Sequence, residues 1–150
     1  MIKLNLPQFQ FKVTNIDGKT LIFDILRKKS VVLTPEEWVR QNFIHYLINY
    51  KNYPKSLMKL ESGVKYNQLN NRYDILIYGR NGECCMLVEC KAANVKITQK
   101  AFDQAARYNF SLKASHIIIT NGLQHFCCRI DHDSKKAVFL NDIPDFDAIA

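Results

Sequence analysis

Within NRYDILIYGRNGECCMLVECK, residues 71–91, two otherwise apolar runs carry Asp74, Glu89 and Lys91. On a strand, residues two apart share a face, so Glu89 and Lys91 project together while Val88 and Cys90 point the other way. Asn81-Gly82 is a strong hairpin signal, and pairing across it brings Asp74, at the start of one strand, close to Glu89 and Lys91 at the end of the next. The three are expected to converge at one end of a sheet. Exposed ion pairs at strand ends contribute only about 0–1 kcal/mol. Burying charges among Ile75, Leu76, Ile77, Leu87 and Val88 costs several kcal/mol per ion, and structure alone gives no reason to incur it. Two carboxylates that can bind a hard divalent cation, beside an ammonium, supply such a reason. Mg²⁺, or Mn²⁺ in its place, would polarise a phosphodiester and acidify a bound water, with Lys91 orienting that water or stabilising developing charge. The chemistry is phosphodiester hydrolysis.

Positioning these groups requires a sheet and its covering helices. Residues 9–26 alternate apolar and polar on both sides of Asp17-Gly18, which predicts an N-terminal hairpin. After the basic run Arg27-Lys28-Lys29, Thr34-Pro-Glu-Glu predicts a helix from Pro35 to Tyr50: Thr34 caps, Pro35 fits the first position, and Glu37 closes a capping box. Val39, Phe43, Tyr46, Leu47 and Tyr50 form its apolar side. A mixed strand is expected over Leu57–Tyr66, followed by the hairpin strands Tyr73–Tyr78 and Cys84–Lys91. Thr98–Lys113 has helical spacing with Thr98 available as cap, His116–Thr120 is an apolar strand ended by Asn121-Gly122, and Phe126–Ile130 and Ala137–Leu140 are two further strands. The acidic tail NDIPDFDAIA is expected to be poorly ordered. Helix, three strands, helix, strand calls for an α/β architecture with a mixed central sheet.

Asp74, a hairpin, then Glu89-Cys90-Lys91 resembles the PD-(D/E)XK nuclease signature, with Tyr73 where a proline often stands. The core order, residues 34–122, is that of the same superfamily, a restriction-endonuclease-like fold. More closely, TPEEWVRQ, RYDILIY, LVECKA, Gln104-Ala-Ala-Arg-Tyr108 and Thr120-Asn-Gly122 look like the nuclease domain at the N terminus of type I restriction enzyme R subunits. The resemblance implies Asp74 and Glu89 as metal ligands, the Cys90 carbonyl as a further ligand and Lys91 as the catalytic lysine. It also implies that an acidic residue of the first helix, Glu37, lies near the metal, and that Gln104 and Tyr108 support the site and contact nucleic acid. Gln104 and Tyr108 are four apart and share one helix face, where a surface glutamine and a core tyrosine are the plainer reading. The capping box alone also explains Glu37, and Glu61 is a weaker acidic candidate. Arg107, with Arg72, Arg80, Lys28, Lys29, Lys96 and Lys100, is available to line a phosphate-binding surface.

The whole chain reads as one domain, residues 1–150, with 47% hydrophobic and 23% charged residues. A net charge of +7 favours a polyanionic partner, here DNA. No run of about 18–20 apolar residues and no signal-peptide pattern is present, so no membrane is expected and the cytoplasm is the default. The adjacent pairs Cys84-Cys85 and Cys127-Cys128 lack the spacing of a zinc site and read as small buried hydrophobes. The four histidines read as structural or surface residues, and Trp38 as a packing anchor. With no GxxxxGK[ST] sequence, translocation is expected from helicase or restriction-system partners. Double-strand cutting with one site per chain would favour a homodimer or a second encounter. The rival function is a catalytically silent DNA-binding or partner-docking module with the same fold.

Overall fold

The Thr34 hydroxyl accepts the Glu37 N–H at 3.0 Å and starts α1 (Pro35–Tyr50), with Pro35 in the first turn where a missing N–H costs nothing. The structure, a computed structural model, describes residues 1–60 and 74–150. Glu61, Arg72, Tyr73 and the second half of the strand expected over 57–66 lie outside the described residues.

Two sheets are present among the described residues. β1 (Val13–Ile16), β2 (Lys19–Asp24) and β3 (Lys29–Val32) form an antiparallel three-stranded sheet, one strand more than the expected hairpin. Arg27 and Lys28 of the basic run lie in the second turn of this sheet, and Lys29 opens β3. Asp24 accepts the Leu26 and Arg27 N–H groups at 2.8 and 3.1 Å, and Lys28 takes a positive φ of 56°.

The central sheet has the order β4 (Met58–Leu60), β5 (Ile75–Tyr78), β6 (Cys84–Cys90), β7 (His116–Thr120), β8 (His125–Asp131), β9 (Lys136–Leu140). All neighbours are antiparallel except β6 and β7, which run parallel and are joined through α2 (Gln99–Leu112), the crossover that parallel neighbours require. Alternation along the strands sends successive residues to opposite layers. Ile75, Ile77, Met86, Val88 and Cys90 pack in one apolar cluster with Val39, Phe43, Ile44 and Leu47 of α1. Leu76, Leu87, Ile117 and Ile119 pack in a second cluster with Ala105 of α2. The two helices therefore cover opposite faces of a mixed sheet. Cys127 belongs to the first cluster and Cys128 to the second, so this adjacent pair cannot turn both sulfurs to one ion.

Three local expectations are corrected. Tyr50 is exposed at the end of α1, where it meets Phe9 edge-on at 6.0 Å rather than joining the core. Thr98 precedes α2 without a side-chain cap bond. The acidic tail is ordered: Ile143 and Phe146 are buried, Phe146 heads α3 (Phe146–Ile149) and packs on Tyr53 at 5.5 Å, and the Tyr53 hydroxyl donates to the Pro144 carbonyl at 2.8 Å. Two large apolar anchors outweigh the charge of the segment.

The segment before β1 is also tied down. The Asn5 N–H donates to the Gly122 carbonyl at 2.8 Å, and Gly122, at φ 84°, leaves only 2.7 Å between Leu4 and the place a Cβ would occupy. A side chain there would meet both strain and collision.

Candidate active site

β5 pairs with β6 with Ile75 opposite Val88, so the next step along both strands sets Asp74 beside Glu89. The Asp74 carboxylate is fixed at both oxygens: Oδ2 accepts the Cys90 N–H at 2.6 Å, and Oδ1 accepts Nη2 of Arg40 at 2.6 Å. Two residues beyond Glu89 on the same face, Lys91 reaches back so that Nζ lies 2.9 Å from Glu89 Oε1. The Lys91 backbone N–H donates to the Thr120 carbonyl at 2.8 Å, which anchors the segment just after β6 on β7. Glu36, Asp74, Glu89, Cys90, Lys91, Gln104 and Tyr108 line one cleft of about 220 Å³.

Each wall has a separate origin. Asp74, Glu89, Cys90 and Lys91 come from the strand ends, Gln104 and Tyr108 from one face of α2, and Glu36 from the first turn of α1. Gln104 Nε2 donates to the Tyr108 hydroxyl at 2.6 Å, so these two residues present a joined polar face to the cleft. Of the other expected site residues, Arg107 stands on an exposed part of α2 and is not among the lining residues.

The first helix differs from expectation. Glu36, not Glu37, lines the cleft. Glu37 also does not complete a capping box: its Oε1 accepts Arg27 at 2.7 Å, its Oε2 accepts Arg40 at 2.9 Å, and the Thr34 N–H donates to the Val32 carbonyl instead. Two guanidiniums hold the carboxylate in place of one neutral N–H, because each adds ion-pair attraction to its hydrogen bond. Arg40, which sequence reasoning passed over, joins Glu36 at 2.7 Å, Glu37 and Asp74. Its signal was present as Glu36 and Glu37 at four and three residues before it, the spacings that meet on a helix. A chain of alternating charge thus runs from Asp24 through Arg27, Glu37 and Arg40 to Asp74.

Around the cleft, Glu36, Glu37, Asp74 and Glu89 face Arg40 and Lys91, while Arg27 and Asp24 balance each other. Among these described side chains the carboxylates exceed the cations by two formal charges, the charge of one divalent cation. Among the described residues no group of three or more His, Cys, Asp and Glu side chains is arranged to hold a metal ion. Asp74 and Glu89 supply two carboxylates, which suits a small hard cation that keeps several waters. The residues present therefore fit Mg²⁺ or Mn²⁺ better than a metal needing a full protein cage.

Burial raises the Glu89 carboxyl above its ordinary value, the Lys91 hydrogen bond and charge offset this only in part, and Asp74 and Glu36 add to the rise. Lys91 is pulled down by burial, yet Glu89, Asp74 and Glu36 hold it above its usual value, so it is an ammonium at neutral pH. A carboxyl raised on folding contributes its full stability below its unfolded value of 4.5 and loses it as pH rises through the folded value. Ionised Glu89 is thus a cost at pH 7 that a neutral isostere avoids. Glu89→Gln is expected to raise the Tm of the metal-free protein by about 2–4 °C, the shift that about 1 kcal/mol produces at this size. Thermal melts in EDTA at pH 7 and pH 4 check this, with the difference shrinking at the lower pH.

An α-helix, three strands, a crossover helix on the opposite face and a strand parallel to the third, with acidic residues and a lysine at one sheet end, define a restriction-endonuclease-like fold. The chain belongs to the family of the type I restriction enzyme R protein N terminus (HSDR_N), whose model matches residues 35–144. Among solved structures it is similar to a fragment assigned as an HsdR subunit of a type I restriction enzyme from Vibrio vulnificus YJ016, at 22% identity and a TM-score of 0.41. That likeness covers 61% of this chain and 17% of the other. No curated protein matches the chain. Among the described residues no helix is long and apolar enough to cross a membrane.

Proposed function

We propose that the chain is a restriction-type endodeoxyribonuclease domain, residues 1–150, that hydrolyses DNA phosphodiesters with Mg²⁺ or Mn²⁺. The observation carrying this reading is the meeting of Asp74, Glu89 and Lys91 in one cleft where, among the described residues, carboxylates outnumber cations. Membership in a restriction-enzyme family supports it independently.

Asp74 and Glu89, with the Cys90 carbonyl, would hold the cation. When bound there, it supplies polarisation of the phosphodiester and a more acidic water. The Cys90 N–H and Arg40 keep the Asp74 carboxylate in place before DNA arrives. Lys91, tethered to Glu89 and charged at neutral pH, orients the attacking water and stabilises negative charge developing on phosphate. Gln104 and Tyr108 give the DNA strand hydrogen-bonding contacts beside the cleft, and Arg107 adds a phosphate contact on the outer part of the same helix. The excess of basic residues assists encounter with the duplex. A helicase or other restriction-system protein supplies translocation, and a second copy of the chain supplies the second cut. The cytoplasm, where such a system meets DNA, is the proposed location.

Supercoiled plasmid incubated with Mg²⁺ or Mn²⁺ tests the reading. Wild type is expected to yield nicked and linear DNA, EDTA to stop the reaction, and Asp74→Ala to leave the plasmid intact. DNA that is bound but uncut with either metal would favour the silent binding module instead.

A further inference from the structure

Arg40 is a largely buried cation paired with two carboxylates that line the cleft, Glu36 and Asp74. Its side chain is 12% exposed and makes three ion pairs, to Glu36 at 2.7 Å, Glu37 at 2.9 Å and Asp74 at 2.6 Å. Nη2 alone serves both Glu36 and Asp74, one carboxylate from α1 and one from the strand end. The guanidinium fork therefore ties the start of α1 to the end of β5, beside a cleft whose carboxylates would otherwise repel each other. An ordinary structural ion pair would need one carboxylate partner, not three, and would not take an oxygen of the proposed metal ligand.

We propose that Arg40 is a positioning residue that stands in for the divalent cation, holding the carboxylates of the metal-free protein together and setting how tightly the cleft takes the ion. This rests on the nuclease reading above. Because Arg40 is fixed on α1 and neutralises Asp74 Oδ1, an incoming cation must share or displace that contact. Removing the guanidinium leaves Asp74 still held at Oδ2 by the Cys90 N–H, so the ligand remains in place with more unbalanced charge around it. The ion is then bound more tightly, and the ion-free protein is less stable. A purely structural arginine gives the opposite first result, since its loss would loosen the site and weaken binding.

Calorimetric titration of MnCl₂ into the full chain, paired with melts in EDTA and in Mn²⁺, tests this. Arg40→Gln is expected to bind Mn²⁺ at least about tenfold more tightly than wild type, equivalent to about 1.4 kcal/mol. It is also expected to melt lower in EDTA and to recover more on adding Mn²⁺. Arg40→Lys keeps one positive charge and is expected to bind within about threefold of wild type. Equal or weaker binding by Arg40→Gln overturns the proposal, as does a lysine variant that behaves like the glutamine one. If Arg40→Gln unfolds in EDTA, folding restored by Mn²⁺ supports the stand-in role, and a chain that stays unfolded in excess Mn²⁺ overturns it. Wild type that takes up no Mn²⁺ overturns the metal site itself. Uptake that Asp74→Asn abolishes and Arg40→Gln leaves unchanged overturns only the role of Arg40.

Discussion

Lys91→Ala is expected to cut plasmid DNA about 10²–10³-fold more slowly than wild type, the loss typical of removing one group that stabilises charge in the transition state. The variant should fold, because Lys91 is partly exposed, with its side chain 32% accessible, and its backbone bond to Thr120 does not depend on the side chain. DNA binding should change little, since one cation among many is lost. Rate measured at saturating enzyme, beside a binding titration in Ca²⁺, separates the two effects. A fall in binding matching the fall in rate would instead make Lys91 an ordinary phosphate contact.

Asp24→Ala is expected to cost about 3 kcal/mol of stability, the low end of the loss caused by removing one partner of a buried ion pair. Asp24 is fully buried, pairs with Arg27, and closes the turn into β3 by accepting the Leu26 and Arg27 N–H groups. Arg27 keeps Glu37 as a partner, so the loss stays at that low end. Burial pushes the Asp24 carboxyl up, but the Arg27 side chain and the two backbone donors outweigh it and leave it below its ordinary value. A depressed carboxyl contributes stability above its unfolded value of 3.8 and loses it as pH falls through the folded value. Urea denaturation at pH 7 and below pH 4 should therefore show the wild-type advantage over Asp24→Ala shrinking with acid. An unchanged difference would mean that the backbone turn, not the charge, carries the effect.

The convergence of Asp74, Glu89 and Lys91 was legible because strand alternation and one turn determine it. The turn itself is one residue longer than Asn81-Gly82 alone: the Gly79 N–H donates to the Glu83 carbonyl around Arg80, Asn81 and Gly82, and the bulge at Ile77/Tyr78 offsets the extra residue to set Ile75 opposite Val88. The limits of α1 were legible because Thr34-Pro-Glu-Glu states its own start. Contacts between segments far apart in sequence were not legible. Glu36 and Glu37 are neighbours in the chain but about 100° apart around a helix, and only the packed position of α1 decides which one faces the cleft. Arg40 reaches Asp74 across 34 residues, and nothing local to either announces it. The tail misled because its acidic residues outnumber Ile143 and Phe146, although these two anchor it.

The most direct test of the metal-assisted cleft compares wild type with Glu89→Gln on supercoiled plasmid across a range of Mg²⁺ concentrations. Melts run in parallel show how well each protein is folded. Wild type should cut in proportion to bound Mg²⁺, and the glutamine variant should leave the plasmid intact while melting at the higher temperature in EDTA. Equal cutting by both would contradict the account, because Glu89 would then hold no ion that matters to the reaction.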